Sequence, residues 1–139
     1  MPGRVWYFDP NAGGITIPET VRRDVTSRIE KVANDNYKGK YTRLDIRFRG
    51  CFCYIDAYQE HEVHDLPLSK DWPETLEEYA ERLRNTPVHL CRLRYFGNDE
   101  WSFCFYTYSN ERYELTVYPN GNFFGKPEGA FLISAVYLQ

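Results

Sequence analysis

Arginines and aromatic residues alternate with other side chains in three segments of this chain, residues 43–49, 52–58 and 92–105. If these segments are β-strands, one face of a sheet collects the arginines and the rings, because successive side chains point to opposite faces. Guanidinium groups bind carboxylates and phosphates, and rings supply rigid contact area or stack on bases. The candidate binding residues on this predicted Arg/aromatic face are Arg47, Arg49, Tyr54, Arg92, Arg94, Phe103, Phe105 and Tyr118.

Three interpretations fit the residue types of the Arg/aromatic face. In the first, helices cover part of the sheet, the rings are core, and the arginines either extend their charged ends to solvent or pair with Asp45, Asp56 and Glu114. In the second, the face docks a protein, since Arg, Tyr and Phe are enriched at interface cores. In the third, single-stranded nucleic acid stacks on the rings while the arginines hold its phosphates. A net charge of −3 and the lack of an RNP-like motif favour a protein partner over nucleic acid.

Histidines and carboxylates offer a second kind of chemistry. His61–Asp65 (HEVHD) places two histidines three residues apart beside two carboxylates, and such side chains can share a metal ion. No fourth ligand stands at a recognisable spacing, so we predict a solvated polar loop, with no metal and no cofactor. His89 is the one histidine in a predicted strand. The alternative to a non-catalytic binding module is therefore a small enzyme with an acid–base or metal site near His61–Asp65 or His89.

The sequence lacks the common catalytic and nucleotide-binding motifs. It contains no GxSxG, no P-loop, no GxGxxG and no HExxH. Cys51, Cys53, Cys91 and Cys104 fall inside strand-like runs, where small apolar side chains pack well. We therefore expect four reduced, buried thiols that form neither a disulfide nor a metal site.

Length and composition predict one domain spanning residues 1–139. Apolar residues make up 42% of the chain and charged residues 27%, as in ordinary globular proteins. Neither a secretory signal peptide nor a stretch of about 18 apolar residues is visible, which predicts a cytoplasmic protein without a membrane partner. The sequence does not predict an oligomeric state.

Two amphipathic helices are predicted. The first begins at Pro18, a residue that suits the first helical position, and ends near residues 34–39. Its apolar residues recur at helical spacing: Val21, Val25, Ile29 and Val32. The second covers about residues 73–85, with Asp71 and Glu74 at the spacing of a capping box. Its apolar stripe comprises Leu76, Tyr79, Ala80 and Leu83.

The strand pattern begins with a hairpin over residues 43–58. A two-residue turn at Arg49-Gly50 would pair Ile46 with Cys53 and Arg43 with Asp56. This turn places Leu44, Ile46 and Phe48 on the core face of the sheet and Arg47 on the other.

Further strands are predicted at residues 5–8, 88–96, 101–108, 113–119, around 123–124 and at 130–138. With a four-residue link at 97–100, Cys91, Leu93, Cys104 and Tyr106 would share the core face. The predicted fold is α+β: an antiparallel sheet of about six or seven strands, built as a hairpin plus a meander, with two amphipathic helices.

Overall fold

The computed structural model describes residues 13–63, 66 and 69–138, and it has an α+β fold. These residues form one five-stranded antiparallel sheet in the order β1-β2-β3-β4-β5. The α-helices are α1 (Glu19–Tyr37), α2 (Leu76–Arg84) and α3 (Pro127–Ser134), and a 3-10 helix (Ala135–Leu138) follows. The strands are β1 (Arg43–Arg49), β2 (Phe52–Tyr58), β3 (Val88–Tyr95), β4 (Trp101–Thr107) and β5 (Arg112–Thr116). Within the described residues, the prediction of six or seven strands and two helices therefore gave too many strands and one α-helix too few.

Residues next to the helix starts determine where α1 and α2 begin. α1 follows Pro18 directly and buries Val25, Ile29 and Ala33 against the sheet. α2 begins later than predicted, because Thr75 forms the capping box in place of Asp71. The Thr75 hydroxyl accepts from the backbone N–H of Glu78, while the Glu78 carboxylate accepts from that of Thr75, both at 3.1 Å. No helix within the described ranges is both long and apolar enough to cross a membrane.

The chain after residue 126 is helical where a strand was predicted. A short run that is apolar on all sides fits a buried helix as well as a buried strand. Here Pro127 begins α3, since a helix needs no N–H at its first position. α3 packs against α1, β3 and β4, and it buries Ala130, Phe131 and Ser134. The packing of α3 against the sheet, which the local sequence pattern does not reveal, determines that this segment is helical.

Two other strands were predicted, at residues 5–8 and around 123–124. The strand at residues 5–8 lies outside the described residues. Phe123–Phe124 belongs to no strand, although the predicted turn at Asn120–Gly121 exists: Gly121 has a φ of +83° and donates to the carbonyl of Tyr118 at 2.8 Å. β5 ends at Thr116, so the turn lies in a loop between β5 and α3.

The hairpin of β1 and β2 keeps its predicted faces but changes its register. The turn is Gly50–Cys51, with Gly50 at a φ of +59° as its first central residue. Ile46 therefore lies opposite Ile55, and Arg43 lies opposite Tyr58, not Asp56. A shift of two positions changes every pair yet leaves each side chain on its face, because strands repeat every two residues.

The pairing of β3 and β4 overturns the predicted faces. Tyr95 pairs with Trp101, so five residues link the strands instead of four. This change of one residue transfers every β4 side chain to the other face relative to β3. Leu93 consequently lies opposite Phe103, while Arg92 lies opposite Cys104.

The main core lies between the sheet and the helices α1 and α3. It contains β2 and β3 residues such as Ile55 and Leu93 together with Phe103 of β4 and Phe131 of α3, all fully buried. The predicted core face of β1 packs against this core, whereas Tyr106 does not belong to it. The other sheet face, turned away from these helices, carries the arginines of β1 and β3.

Candidate binding face and the Asp56 cluster

Five of the eight predicted site residues lie together on the sheet face turned away from α1 and α3. The cross-strand register forms two rows there, Arg47–Tyr54–Arg92 and Arg49–Phe52–Arg94. We call this surface the Arg/Tyr face and define it by those six residues together with Arg43, Tyr58, Tyr106, Tyr108 and Tyr113.

Phe103, Phe105 and Tyr118 do not belong to the Arg/Tyr face, and their predicted placement was wrong. Phe103 is fully buried and meets the ring of Tyr118 edge-on, with centroids 4.7 Å apart. Phe105 stacks on Tyr137 of the 3-10 helix at 5.1 Å. The five-residue link between β3 and β4 is the cause, because it turns both phenylalanines toward the helices.

Arg92 and Arg94 lie on the Arg/Tyr face but are buried within it. Their relative exposures are 9% and 2%. The Arg92 guanidinium lies over the ring of Phe52 at 4.4 Å, and Nε of Arg94 donates to the Ser102 hydroxyl at 3.3 Å. These two arginines therefore hold the neighbouring rings in place and offer little surface to a partner.

The accessible cations of the face lie on β1. Arg43, Arg47 and Arg49 are exposed, and β1 is a terminal strand of the sheet. Arg43 lies over the ring of Tyr58 at 3.8 Å, and Arg47 lies 5.7 Å from the ring centroid of Tyr54. Rings of β2 thus support the side chains of Arg43 and Arg47, while all three arginines remain exposed to solvent.

A chain of aromatic rings crosses the same face. Centroid distances are 6.2 Å from Phe52 to Tyr54, 5.9 Å from Tyr54 to Tyr113, 5.0 Å on to Tyr106 and 4.8 Å on to Tyr108. Most of these contacts are edge-on, the arrangement that the charge distribution of a ring favours. The last three tyrosines were not among the predicted site residues. A five-residue link between β3 and β4 would have placed them on this face.

A β-bulge positions the one strand histidine on this face. Ile55 pairs with Cys91, but the next residue, Asp56, pairs with His89, so Leu90 is an extra residue in β3. Without the bulge, His89 would follow Cys91 onto the core face, since alternate residues share a face. Bulges occur frequently beside functional sites, where they redirect a side chain.

Asp56 is fully buried, and both of its carboxylate oxygens are used. Oδ1 lies 2.9 Å from Nδ1 of His89, and Oδ2 accepts from Nη1 of Arg47 at 2.8 Å. Burying a carboxylate is costly unless it is paired and hydrogen-bonded, and Arg47 supplies the opposite charge. We call these three residues the Asp56 cluster. The predicted pairing of Asp56 with Arg43 does not occur.

The imidazole of His89 has a defined orientation. Because a carboxylate only accepts hydrogen bonds, Nδ1 carries a proton and Nε2 is the nitrogen left for another group. The side chain is 36% exposed, and its ring lies 4.8 Å from that of Tyr106. The Tyr108 hydroxyl accepts from the backbone N–H of His89 at 2.7 Å and keeps its own proton to donate.

Burial also affects the acidity of the tyrosines. It raises the pKa of Tyr113 well above its ordinary value, and the nearby charge of Asp56 adds to the effect. Burial likewise raises the pKa of Tyr108. Both phenols therefore remain protonated hydrogen-bond donors at neutral pH.

The loop at His61–Asp65 is described in part, since His64 and Asp65 lie outside the described residues. The backbone carbonyl of His61 accepts from Nη2 of Arg84 at 2.8 Å, which ties the loop to α2. No group of three potential metal ligands occurs among the residues that the structure describes. The absence of a metal remains a prediction.

All four cysteines are free thiols. Cys53, Cys91 and Cys104 are buried, and Cys51 is partly exposed at the hairpin turn. Burial raises the pKa of Cys91 to about 12 and also raises those of Cys53 and Cys104. A thiol must lose its proton to act as a nucleophile, so these three positions are packing residues.

A second ionic group, the Asp99 cluster, lies at the link between β3 and β4. Arg28 of α1 donates to both oxygens of Asp99 at 2.9 and 3.1 Å and to both of Glu128 in α3 at 2.7 and 2.9 Å. Nε1 of Trp101 also donates to Asp99 at 3.0 Å, and Lys126 completes the cluster at 3.3 Å. A concave surface beside it includes Tyr118, Asn122 and Gly129. Because these contacts join α1, the link and α3, the cluster is structural.

Comparison with protein-family models, with curated proteins and with solved structures found no match to this chain.

Proposed function

We propose that the protein is a small non-catalytic binding module that contacts a protein partner through the Arg/Tyr face. The observation that carries the proposal is the row of exposed arginines on β1 beside rings that the sheet holds in place. Arginine and tyrosine are the residue types that most often dominate binding energy at protein interfaces.

The rings of the face are ordered before any partner arrives. Tyr54 and Tyr113 each contact two other rings, and Tyr106 contacts three. Arg47 lies over the ring of Tyr54 and Arg92 over that of Tyr113. Binding therefore costs little conformational entropy at these positions, which raises affinity for a given contact area.

The same contacts make single-stranded nucleic acid a poorer ligand. Bases bind such proteins by stacking on the flat faces of aromatic side chains. Here guanidinium groups already cover the rings of Tyr58 and Phe52, at 3.8 and 4.4 Å. A protein partner needs no free ring face, because it can contact ring edges and the exposed arginines.

Capture from a lysate of the source cells tests the proposal. The immobilised wild-type protein is compared with Arg49→Glu, on the face, and with Arg112→Glu, a matched charge reversal at an exposed position on β5. In nuclease-treated lysate, we expect a protein that the wild type and Arg112→Glu retain and Arg49→Glu loses. The same proteins on all three, or loss of capture after nuclease treatment, would contradict the proposal.

Salt dependence then separates the two partner classes. The dissociation constant of the purified partner is measured at two salt concentrations. The affinity of a protein partner that contacts mainly the rings should change little with salt concentration. The affinity of a single-stranded nucleic acid falls as salt rises, with a slope of log affinity against log salt concentration of about −0.7 per phosphate contacted. A steep slope together with loss of capture after nuclease treatment would identify the face as a nucleic-acid site.

Acid–base chemistry at His89 is a second candidate function, favoured by the bulge that brings the imidazole to Asp56. In this mechanism the Asp56 carboxylate orients the ring, Nε2 accepts a proton from water or a substrate hydroxyl, and the Tyr108 hydroxyl donates to the reacting group. Hydrolysis of p-nitrophenyl acetate by the wild type should then exceed that by His89→Gln by about tenfold or more. The control His61→Gln should match the wild type, and equal rates in all three proteins would exclude this candidate.

A further inference from the structure

We infer that the partner binds as an extended acidic segment that pairs with the edge of β1 to which no described strand is bonded, and that it becomes a further strand of the sheet. The inference rests on the proposed function, since it states how a protein partner would occupy the Arg/Tyr face.

The sheet offers this edge directly. β1 pairs with β2 on one side, and no other strand of the described residues lies beside it. In an antiparallel ladder, alternate residues direct their N–H and C=O groups away from the neighbouring strand. An added strand would pair with those groups, which is a common way for domains to bind extended peptides.

The charge of the edge selects an acidic partner. Residues 38–49 hold five of the 17 Lys and Arg residues and one of the 20 Asp and Glu residues, so this segment has a formal charge of +4 in a chain of −3. All five cationic residues are exposed: Lys38, Lys40, Arg43, Arg47 and Arg49. Two copies of β1 would bring like charges together, which disfavours self-pairing and leaves an acidic strand as the matching occupant.

A groove beside the edge predicts the pattern of the partner. It lies between α1 and Phe48 of β1, and α1 lines it with Arg22, Arg23, Glu19 and Glu30. The Arg22 guanidinium lies 5.6 Å from the Phe48 ring centroid. Side chains of an added strand alternate between the two faces, so one set would contact this groove and the other would meet Arg47 and Arg49. We expect apolar residues in the first set and carboxylates in the second.

Synthetic peptides as long as β1, seven residues, test the inference. The probe alternates Glu and Val, beginning and ending with Glu. Its controls are the same peptide with alternate backbone nitrogens methylated, a Lys–Val counterpart, and a short oligothymidylate. Binding is measured by calorimetry, and the contacted residues are located by shifts of backbone amide resonances.

The Glu–Val peptide should bind and shift the amide resonances of residues 43–49. Arg49→Glu should weaken binding by about tenfold or more, whereas Arg112→Glu should stay within about twofold of the wild type. Methylation of the peptide backbone should abolish binding, because it removes the donors of the ladder.

Three outcomes would overturn the inference. The proposed function would still be tested separately by the lysate experiment. Equal affinity for the methylated peptide would show charge attraction without strand pairing. Tighter binding of the Lys–Val peptide or of the oligothymidylate would show that the partner class is wrong. No binding of any peptide would exclude the β1 edge as the docking site.

Discussion

The carboxylates of Asp56 and Asp99 both accept hydrogen bonds from an arginine of another element, but their surroundings differ. Asp56 is fully buried within the sheet, and its partners on β1 and β3 lie on the Arg/Tyr face. The Asp99 side chain is 36% exposed at the link between β3 and β4, and its partners include a residue of α1.

The charged partners of Asp99 are Arg28 and Lys126. These contacts connect parts of the chain that are distant in sequence, so the Asp99 cluster holds α1, the β3–β4 link and α3 together. One partner of Asp56 is the imidazole of His89, whose side chain is 36% exposed. Similar ion-pair chemistry therefore joins distant elements at one site and leaves an imidazole accessible to solvent at the other.

Removal of Asp56 should have the largest effect on stability. Asp56→Ala leaves Arg47 and His89 without their acceptor and opens a space in the sheet, so we expect a loss of about 3 kcal/mol. Asp99→Ala should cost about 1 to 2 kcal/mol, because water reaches its partners. Urea unfolding of both variants checks the order, and a larger loss for Asp99→Ala would reverse the comparison.

Arg28→Ala should have the next largest effect, about 2 kcal/mol, since it breaks charge-assisted hydrogen bonds to two elements at once. Lys31→Ala is the control on the same helix, because Lys31 is exposed and pairs within α1 alone. Its stability in the same urea experiment should equal that of the wild type. Similar losses for both variants would show that the Asp99 cluster is no more than an ordinary surface pair.

Lowering the pH should reduce the stability that the Asp99 cluster provides, and this effect should be smaller than that of Arg28→Ala. Burial by itself would raise the pKa of Asp99 and of Glu128, but the hydrogen bonds and charge of Arg28, together with the other hydrogen bonds that each carboxyl accepts, lower both below their ordinary values. A carboxyl whose pKa is lowered by folding stabilises the protein above its unfolded pKa near 4 and ceases to do so as pH falls through the folded value.

The wild type should therefore lose more stability than Arg28→Ala between about pH 6 and about pH 3, by about 1 kcal/mol. Urea unfolding of both proteins at the two pH values measures this difference. Equal losses would mean that Arg28 does not set the acidity of these carboxyls.

Tyr118→Phe should have the smallest effect and the opposite sign. The Tyr118 hydroxyl is buried and has no hydrogen-bond partner among the described residues, whereas both oxygens of Asp56 are paired. Removing an unpaired buried hydroxyl should leave stability unchanged or raise it by up to about 1 kcal/mol. A thermal unfolding scan checks the sign, and a clear loss of stability would mean that the hydroxyl does have a partner.

The periodicity of the sequence predicted the elements that local pattern controls. The apolar spacing of Val25 and Ile29 identified the buried stripe of α1. The alternation in β1 and β2 assigned the faces of Ile46 and Arg47 correctly, even though the turn was misplaced. Both results hold because a helical stripe or a strand face depends on spacing within one element.

Tertiary structure alone decided the composition of the candidate site. A link one residue longer than predicted moved Phe103 into the core, turned Phe105 toward Tyr137 of the 3-10 helix and brought Tyr106 to the Arg/Tyr face. The bulge at Leu90 redirected His89 to Asp56. Strand pairing sets these choices through hydrogen bonds between distant segments, so no local window contains them. The sequence by itself determined which residues could do chemistry, and the register of the sheet determined which of them meet.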